Sequence, residues 1–350
     1  MIKDYSVPPH ALVRDAVERL HALHSPAVAI VDSDGVLCGL FTNGDMRRFF
    51  LRGGIISSPI AEAMNTQPVL FSSVDEIREA QREHPYIVYP LVDKKLHLLD
   101  LVFGDASDDL CSDELSEVPL VIMAGGKGTR LYPYTRILPK ALVPLGDSTI
   151  SEQIIHQVHV YGCRDVHFIL NHKAGMIRAY FDDLDRDYDV HYYEEKEFLG
   201  TGGGLYLVKE ALDSTFILSN CDILIRDDLA CAYRTHKEQK NVITFVCAMT
   251  NITIPYGVVE TDEQGTVAAM REKPEFSFLV NTGVYIVEPE VLSELKENEF
   301  IHFPDIAQRC MDAGKRVGVF PVSENSWIDI GEISKMNLAI KQFDGDVDHA

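Results

Sequence analysis

The sequence predicts an α/β protein: a Rossmann-like, three-layer domain with a mostly parallel sheet, preceded by a smaller tandem α+β module. Three observations carry this reading. From Pro119 onward, short apolar runs alternate with amphipathic segments, the βαβ rhythm of a parallel sheet covered by helices. Before residue 105, a helix–strand–strand–helix plan occurs twice, with a period of about 50 residues that suits a paired module rather than a solenoid. Between the two regions lies DASDDLCSDELSEV, an acidic, polar stretch that reads as an exposed linker or equally as a short acidic helix.

The elements follow in order. Residues 1–56 form the first repeat. VRDAVERLHAL carries apolar residues at helical spacing, PAVAIVD and VLCGLFT are β-rich runs around an SDG turn, and GDMRRFFLRG is a helix closed by glycine. Residues 57–108 repeat the plan more weakly: PIAEAMN and VDEIREAQREH are helical, while IVYPLVD and LHLLDLVFGD are strands. Residues 109–118 are the linker, and 119–345 the larger domain. There PLVIMAG, DVHFILN, TFILSNCD and NVITFVCAM read as strands, and STISEQIIHQVHVYG and AGMIRAYFDDL as helices. In such sheets ligands bind beyond the C-terminal strand ends, so the residues just after each strand are the first candidates.

Composition narrows the function. The 350-residue chain is 46% hydrophobic and 25% charged, as globular proteins are. Its seven cysteines include no C-x-x-C pair, which argues against a zinc ribbon or a disulfide framework and suits a reducing, cytoplasmic location. The opening MIKDYSVPPH lacks an apolar core, and no run approaches a membrane span. A formal net charge of −22 repels nucleic acid and anionic membranes, so neither is expected as a partner. It also repels free nucleotides. Any phosphate site must therefore be built locally, from a few cations, backbone N–H groups and a metal.

Directly after PLVIM comes AGGKGTRLYPYTRILPKALVPL. Gly125, Gly126 and Gly128 allow close approach of a phosphate and can form an anion nest, with Arg130 and Lys140 adding charge-assisted contacts. Neither the dinucleotide fingerprint nor the Walker pattern is present, and a glycine-rich turn alone is equally a plain structural turn. The longer string AGGKGTRLYP…LPKALVPLG resembles the signature of the sugar nucleotidyltransferase family, the nucleotide-sugar pyrophosphorylases. Its one departure is Ala141, where that family usually has a second proline. The resemblance extends over about residues 119–340 through HKAGMIRAYF, LGTGGGLYLV, FILSNCDIL, YGVVETDEQGTV…REKP, FLVNTG and SWIDIGE.

The resemblance implies attack of a sugar-1-phosphate oxygen on the α-phosphorus of an NTP, with Mg²⁺ as cofactor. It makes Asp222 and Asp329 the metal ligands; without their motifs each would be an ordinary solvated loop Asp. Arg130, Lys140 and Lys273 become the catalytic cations. The nucleotide falls to Met123, Ala124, Gly125, Gly126, Gly128, Thr129, Gly202 and Gly203, and the sugar phosphate to Gly257, Glu272, Lys273 and Asn281. His156, His159 and His167 read as packing or surface groups. In the N-terminal module, IVDSDGVLCGLFTNGDMRRFFLRG resembles a CBS domain. That implies adenine-nucleotide contacts at Thr42, Asn43 and Asp45, or a purely structural pair that joins a homo-oligomer. LGTGGGL is similar to the guanylyl-transferring forms, and a CBS pair on this domain resembles the glucosamine-1-phosphate guanylyltransferases of legionaminic acid pathways. GTP and glucosamine-1-phosphate are the implied substrates, with mannose- or heptose-1-phosphate or another NTP as alternatives. A non-catalytic regulatory subunit and a nucleotide sensor are the competing readings.

Overall fold

A computed structural model describes residues 2–23, 25–83, 88–104, 113–331 and 336. Its contacts group into two units: Met1–Ser107 with Met249–Leu279, and Asp108–Ala248 with Val280–Ala350. The chain thus leaves the second unit within one strand and re-enters it within another.

In the first unit, helix Val13–Ala22 leads into the strands Ala27–Val31 and Leu37–Thr42, then helix Asn43–Leu51. Their apolar faces meet in a core that includes Val13, Ala16, Leu20, Val28, Ile30, Phe41, Met46 and Phe49. Helix Val74–Glu83 and the strands Val88–Val92 and Leu98–Phe103 repeat the plan. Each lies 61 residues after its counterpart, not about 50, and the runs PAVAIVD and IVYPLVD already stand 61 apart. In the connection after Leu51, the expected helix PIAEAMN is only a 3₁₀ turn, Ile60–Glu62. Both hairpins use the same turn chemistry. Asp32 Oδ1 accepts from the N–H of Asp34 and Val36, and Asp93 Oδ1 from those of Lys95 and His97, the Asx-turn that makes Asp a turn residue. The hairpins pack through Ala27, Ala29, Leu37 and Leu40 against Val88, Val92, Leu98 and Leu101. The 105–112 part of the acidic stretch lies outside the described residues.

In the second unit, seven strands form one sheet. They are β1 (Leu120–Ala124), β2 (Asp165–Leu170), β3 (Asp189–Glu194), β4 (Phe216–Asn220), β5 (Ile243–Thr253), β6 (Glu275–Val287) and β7 (Val317–Ser323). The order is β3-β2-β1-β4-β6-β5-β7. β3, β2, β1 and β4 run parallel, and β6 joins antiparallel.

β1 is buried on both faces, and alternate residues serve two cores. Leu120, Ile122 and Ala124 pack with Ile154, Ile155, Ile177 and Phe181 of helices Ile150–His159 and Ala174–Asp183. Val121 and Met123 pack on the opposite side with Leu205, Val208, Phe303 and Ile306. A one-residue slip would exchange these sets. Burial would be kept on both faces, so the register is set by how each side chain fits its own core and by the pairing with neighbouring strands. The parallel strands therefore end together, delivering Gly125, Asn171, Glu195 and Cys221 to one edge.

Helix Ile150–His159 is anchored there by a capping box: Thr149 Oγ1 accepts from Glu152 N–H, and Glu152 Oε2 accepts from Thr149 N–H. Tyr180 donates to the same carboxylate at 2.7 Å. Thr149→Ala should lower the stability of this unit by about 1 kcal/mol, read as a shift in denaturant midpoint without a change in slope.

Candidate active site

β1 ends in a glycine turn. Gly128 has φ 62, the left-handed region that favours glycine. A side chain there would lie 3.0 Å from Thr135 Cγ2 and 3.1 Å from Lys140 Cβ. The loop is thus closed tightly over Lys140. Thr135 Oγ1 donates to Gly128 O at 2.7 Å. Lys173 clamps the far side, its ammonium donating to the carbonyls of Thr135, Arg136 and Ile137 at 2.9, 2.8 and 2.9 Å. Lys173 carries none of the expected roles; its work is to hold the turn.

The strands Ile223–Ile225 and Trp327–Asp329 pair antiparallel, Ile223 opposite Asp329, and Ile330 N–H donates to Asp222 O at 2.9 Å. This ladder brings Asp222 and Asp329 together beside the glycine turn. A methyl group on Gly331 would lie 2.7 Å from Asp329 Oδ1, 3.0 Å from Asp222 Oδ2 and 3.2 Å from Arg130 Nη2. Three charged groups face one gap that exists because Gly331 has no side chain. Lys140 Nζ forms an ion pair with Asp222 Oδ2, both side chains largely buried. Two carboxylates from separate strands facing one cradle fit a Mg²⁺ ion, which takes one or two protein carboxylates plus phosphate oxygens.

A cavity of about 290 Å³ opens from this gap, lined among others by Met123, Gly125, Gly126, Gly128, Thr129 and Arg130. On its wall stands a residue that the sequence reading passes over. Glu195 follows β3, its N–H donating to Leu170 O at 2.8 Å, and its side chain is 4% exposed. Its two oxygens fill the space that side chains at Gly125 and Gly204 would take, at 2.8 and 2.5 Å. Neither oxygen has a hydrogen-bond partner among the described residues. Burial pushes the carboxyl up to about 7, and the nearby Leu199 N–H opposes the shift only weakly, without reaching hydrogen-bonding geometry. Cys221, also on the wall, is buried, and the loss of hydration pushes its thiol up to about 12 against the pull of Lys140.

Several expected residues lie elsewhere. Gly202 and Gly203 do not line the cavity; Gly200 and Thr201 do. Side chains at Gly202 and Gly203 would strike Ile306 Cδ1 at 2.7 Å and Glu299 O at 2.1 Å. At Gly202 and Gly203 the glycine run allows close packing on residues 299–306. Ala124 is buried in the core below the turn. Asn281 turns back on its own strand, donating to Tyr285 Oη at 2.9 Å and accepting from Gly283 N–H at 3.0 Å.

Gly257, Glu272 and Lys273 meet at the base of the hairpin Val258–Thr261/Val267–Arg271, in the first unit. Glu272 Oε2 lies 3.1 Å from where a Gly257 side chain would start, and Lys273 holds φ 45. Also in the first unit, Thr42 and Asp45 cap the helix that Asn43 opens. Asp45 N–H donates to Thr42 Oγ1 at 3.2 Å, Thr42 Oγ1–H donates to Asp45 Oδ2 at 2.6 Å, and Arg48 binds Asp45 Oδ1 at 2.6 Å. A bound nucleotide would have to compete for both side chains.

Residues 120–344 match the model of the nucleotidyl transferase family. The chain belongs to that family. Residues 1–52 match the CBS domain. Among the family's members, the UTP–glucose-1-phosphate uridylyltransferase of Synechocystis sp. is 30% identical over 242 residues, 63% of this chain and 62% of that protein. The D-glycero-alpha-D-manno-heptose 1-phosphate guanylyltransferase of Campylobacter jejuni is 28% identical over 213 residues, 60% of this chain and 93% of that one. The crystal structure of HddC from Yersinia pseudotuberculosis shares the fold at a TM-score of 0.51 and 22% identity, covering 65% of this chain and 99% of that one. This chain spans 62% of the length of the Synechocystis relative and 41% of a Methanococcus aeolicus GlmU. Among the described residues no helix is long and apolar enough to cross a membrane.

The gap at Gly331 brings two carboxylates and a guanidinium to one point, where their charges must be balanced. Gly331→Ala should leave the melting temperature nearly unchanged but cut kcat by roughly 100-fold, the scale of one misplaced electrostatic group. Steady-state kinetics alongside thermal melts would check this.

Proposed function

We propose that the chain transfers a guanylyl group from GTP to a sugar-1-phosphate, forming a GDP-sugar and pyrophosphate. The observation that carries the transfer reading is the convergence of Asp222, Asp329 and Arg130 on the gap at Gly331, with Lys140 paired to Asp222. A sugar-phosphate oxygen attacks the α-phosphorus, the bond from that phosphorus to the bridging oxygen breaks, and pyrophosphate leaves with the electron pair. The nucleophile is already an anion, so no general base is required. Catalysis is positioning and charge stabilisation. Arg130 and Lys140 neutralise the polyphosphate, and the glycine turn supplies backbone N–H donors. Mg²⁺ held by Asp222 and Asp329 would supply further charge neutralisation when bound.

Glu195 supports guanine as the base. An ionised carboxylate accepts two hydrogen bonds and donates none. Guanine presents two adjacent donors, N1–H and the 2-amino group, whereas uracil and thymine present one N–H between two carbonyls. A base bound there would also give Glu195 the partners it lacks. Glucosamine-1-phosphate is the first sugar to test, because the CBS-linked architecture suggests it.

Incubation with Mg²⁺, each NTP and a panel of sugar-1-phosphates, with products read by mass, should yield a GDP-sugar. Absence of pyrophosphate release across the panel would refute the proposal. Asp222→Asn and Asp329→Asn should each lower kcat by about 100-fold or more with the fold intact.

The pH dependence has a definite sign. The Glu195 carboxyl sits at about 7 in the free fold, above its ordinary 4.5. In the free protein its neutral form therefore stabilises the fold below about 4.5, and that contribution is lost as pH rises through about 7. GTP requires the ionised form, so KM for GTP should fall as pH rises through 7. Glu195→Gln should weaken GTP binding and flatten that profile.

A further inference from the structure

Away from the C-terminal strand ends, at the start of β2, three side chains converge that the transfer reaction does not use. Asp165 opens β2, and His167 follows two residues later on the same face. The parallel register sets His191 of β3 beside His167, and the two imidazoles stack at 4.9 Å. Asp165 Oδ1 lies 3.0 Å from His167 Nε2 and 3.2 Å from His191 Nε2. The three atoms all fall within 4.8 Å of one another.

Asp165 Oδ1 and His167 Nε2 are both buried and in ion-pair contact, but the contact is poorly aligned for a hydrogen bond, and neither atom has a partner in hydrogen-bonding geometry among the described residues. His167 is 2% exposed, so hydrogen-bonding capacity at this point is only partly satisfied. Two imidazole nitrogens and a carboxylate oxygen facing one point are the donor set of a divalent transition ion. Ligands about 2.0–2.1 Å from a tetrahedral ion lie about 3.4 Å apart, close to the two separations here. The other ring nitrogen, His167 Nδ1, lies 3.2 Å from Tyr193 Oη. When Nδ1–H donates to that oxygen, Nε2 carries the lone pair a metal needs, the usual support of a metal-binding histidine. His191 is half exposed, which leaves an entry path and room for water as a fourth ligand.

We propose that Asp165, His167 and His191 bind a zinc-class divalent ion that ties the edge strand β3 to β2. The site is separate in chemistry from the Asp222–Asp329 pair, since imidazole selects transition metals and an all-carboxylate cradle selects Mg²⁺. An ion here would also guard an open sheet edge, which in its absence offers unpaired backbone to other chains.

The test uses the full-length protein, free of any affinity tag, stripped with EDTA and reloaded with Co²⁺ or Zn²⁺ in excess Mg²⁺. One ion per chain should survive gel filtration, and the Co²⁺ form should show the visible bands of a nitrogen–oxygen site. Asp222→Asn should leave that signal unchanged. His191→Ala, at a half-exposed position, and Asp165→Asn should each weaken binding at least about 100-fold while the melt stays cooperative. No retained ion, a thiolate-to-Co²⁺ charge-transfer band, or unaltered binding in both variants would overturn the proposal.

Discussion

The short ladder between Ile223–Ile225 and Trp327–Asp329 is the constraint on which the site depends. It joins two stretches far apart in the chain and places two carboxylates on the same gap. Like charges so close repel one another. The fold tolerates this because Lys140 pairs with one of them and Arg130 reaches the same point. The excess of acid over base is global, −22 across the chain, yet the cations are concentrated at the turn where phosphate must enter. A polyanion bound here would be held by this local arrangement, not by the long-range field.

That arrangement is held by apolar packing. β1 serves one core with Leu120, Ile122 and Ala124 and another with Val121 and Met123. Because neighbouring strands share its direction, the sheet ends in a row of loop residues rather than an isolated one. Lys173 and Thr135 then fix the glycine turn from behind through hydrogen bonds to backbone carbonyls. The functional groups are thus carried on rigid supports, as charge stabilisation requires when no reorganisation is to occur during reaction.

Much of this was legible in the sequence. The apolar run before the glycines, the βαβ rhythm and the carboxylates after two separate strands all depend on local pattern. What escaped depends on contacts between distant segments. Glu195 sits in the run EEKE, which reads as a solvated face, yet its side chain turns inward because Gly125 and Gly204 leave it room. An acidic residue next to a glycine cluster was the available signal. The glycines at 202 and 203 stand out in the sequence, but their packing on residues 299–306 depends on a distant segment of the chain. β3 alternates exposed and half-buried residues, so it lacks the apolar run that marks its neighbours. The contact of Asp165 and His167 with His191 exists only once the register of two strands is known.

One property of the cavity concerns its chemistry toward reagents other than substrate. Cys221 lines the wall beside Asp222, but its thiol is held near 12 by burial, so almost no thiolate exists at neutral pH. Peroxide or an alkylating agent that reaches the pocket finds no ready nucleophile there. A thiol-directed inhibitor would gain little from this cysteine, and the same burial protects it from oxidation.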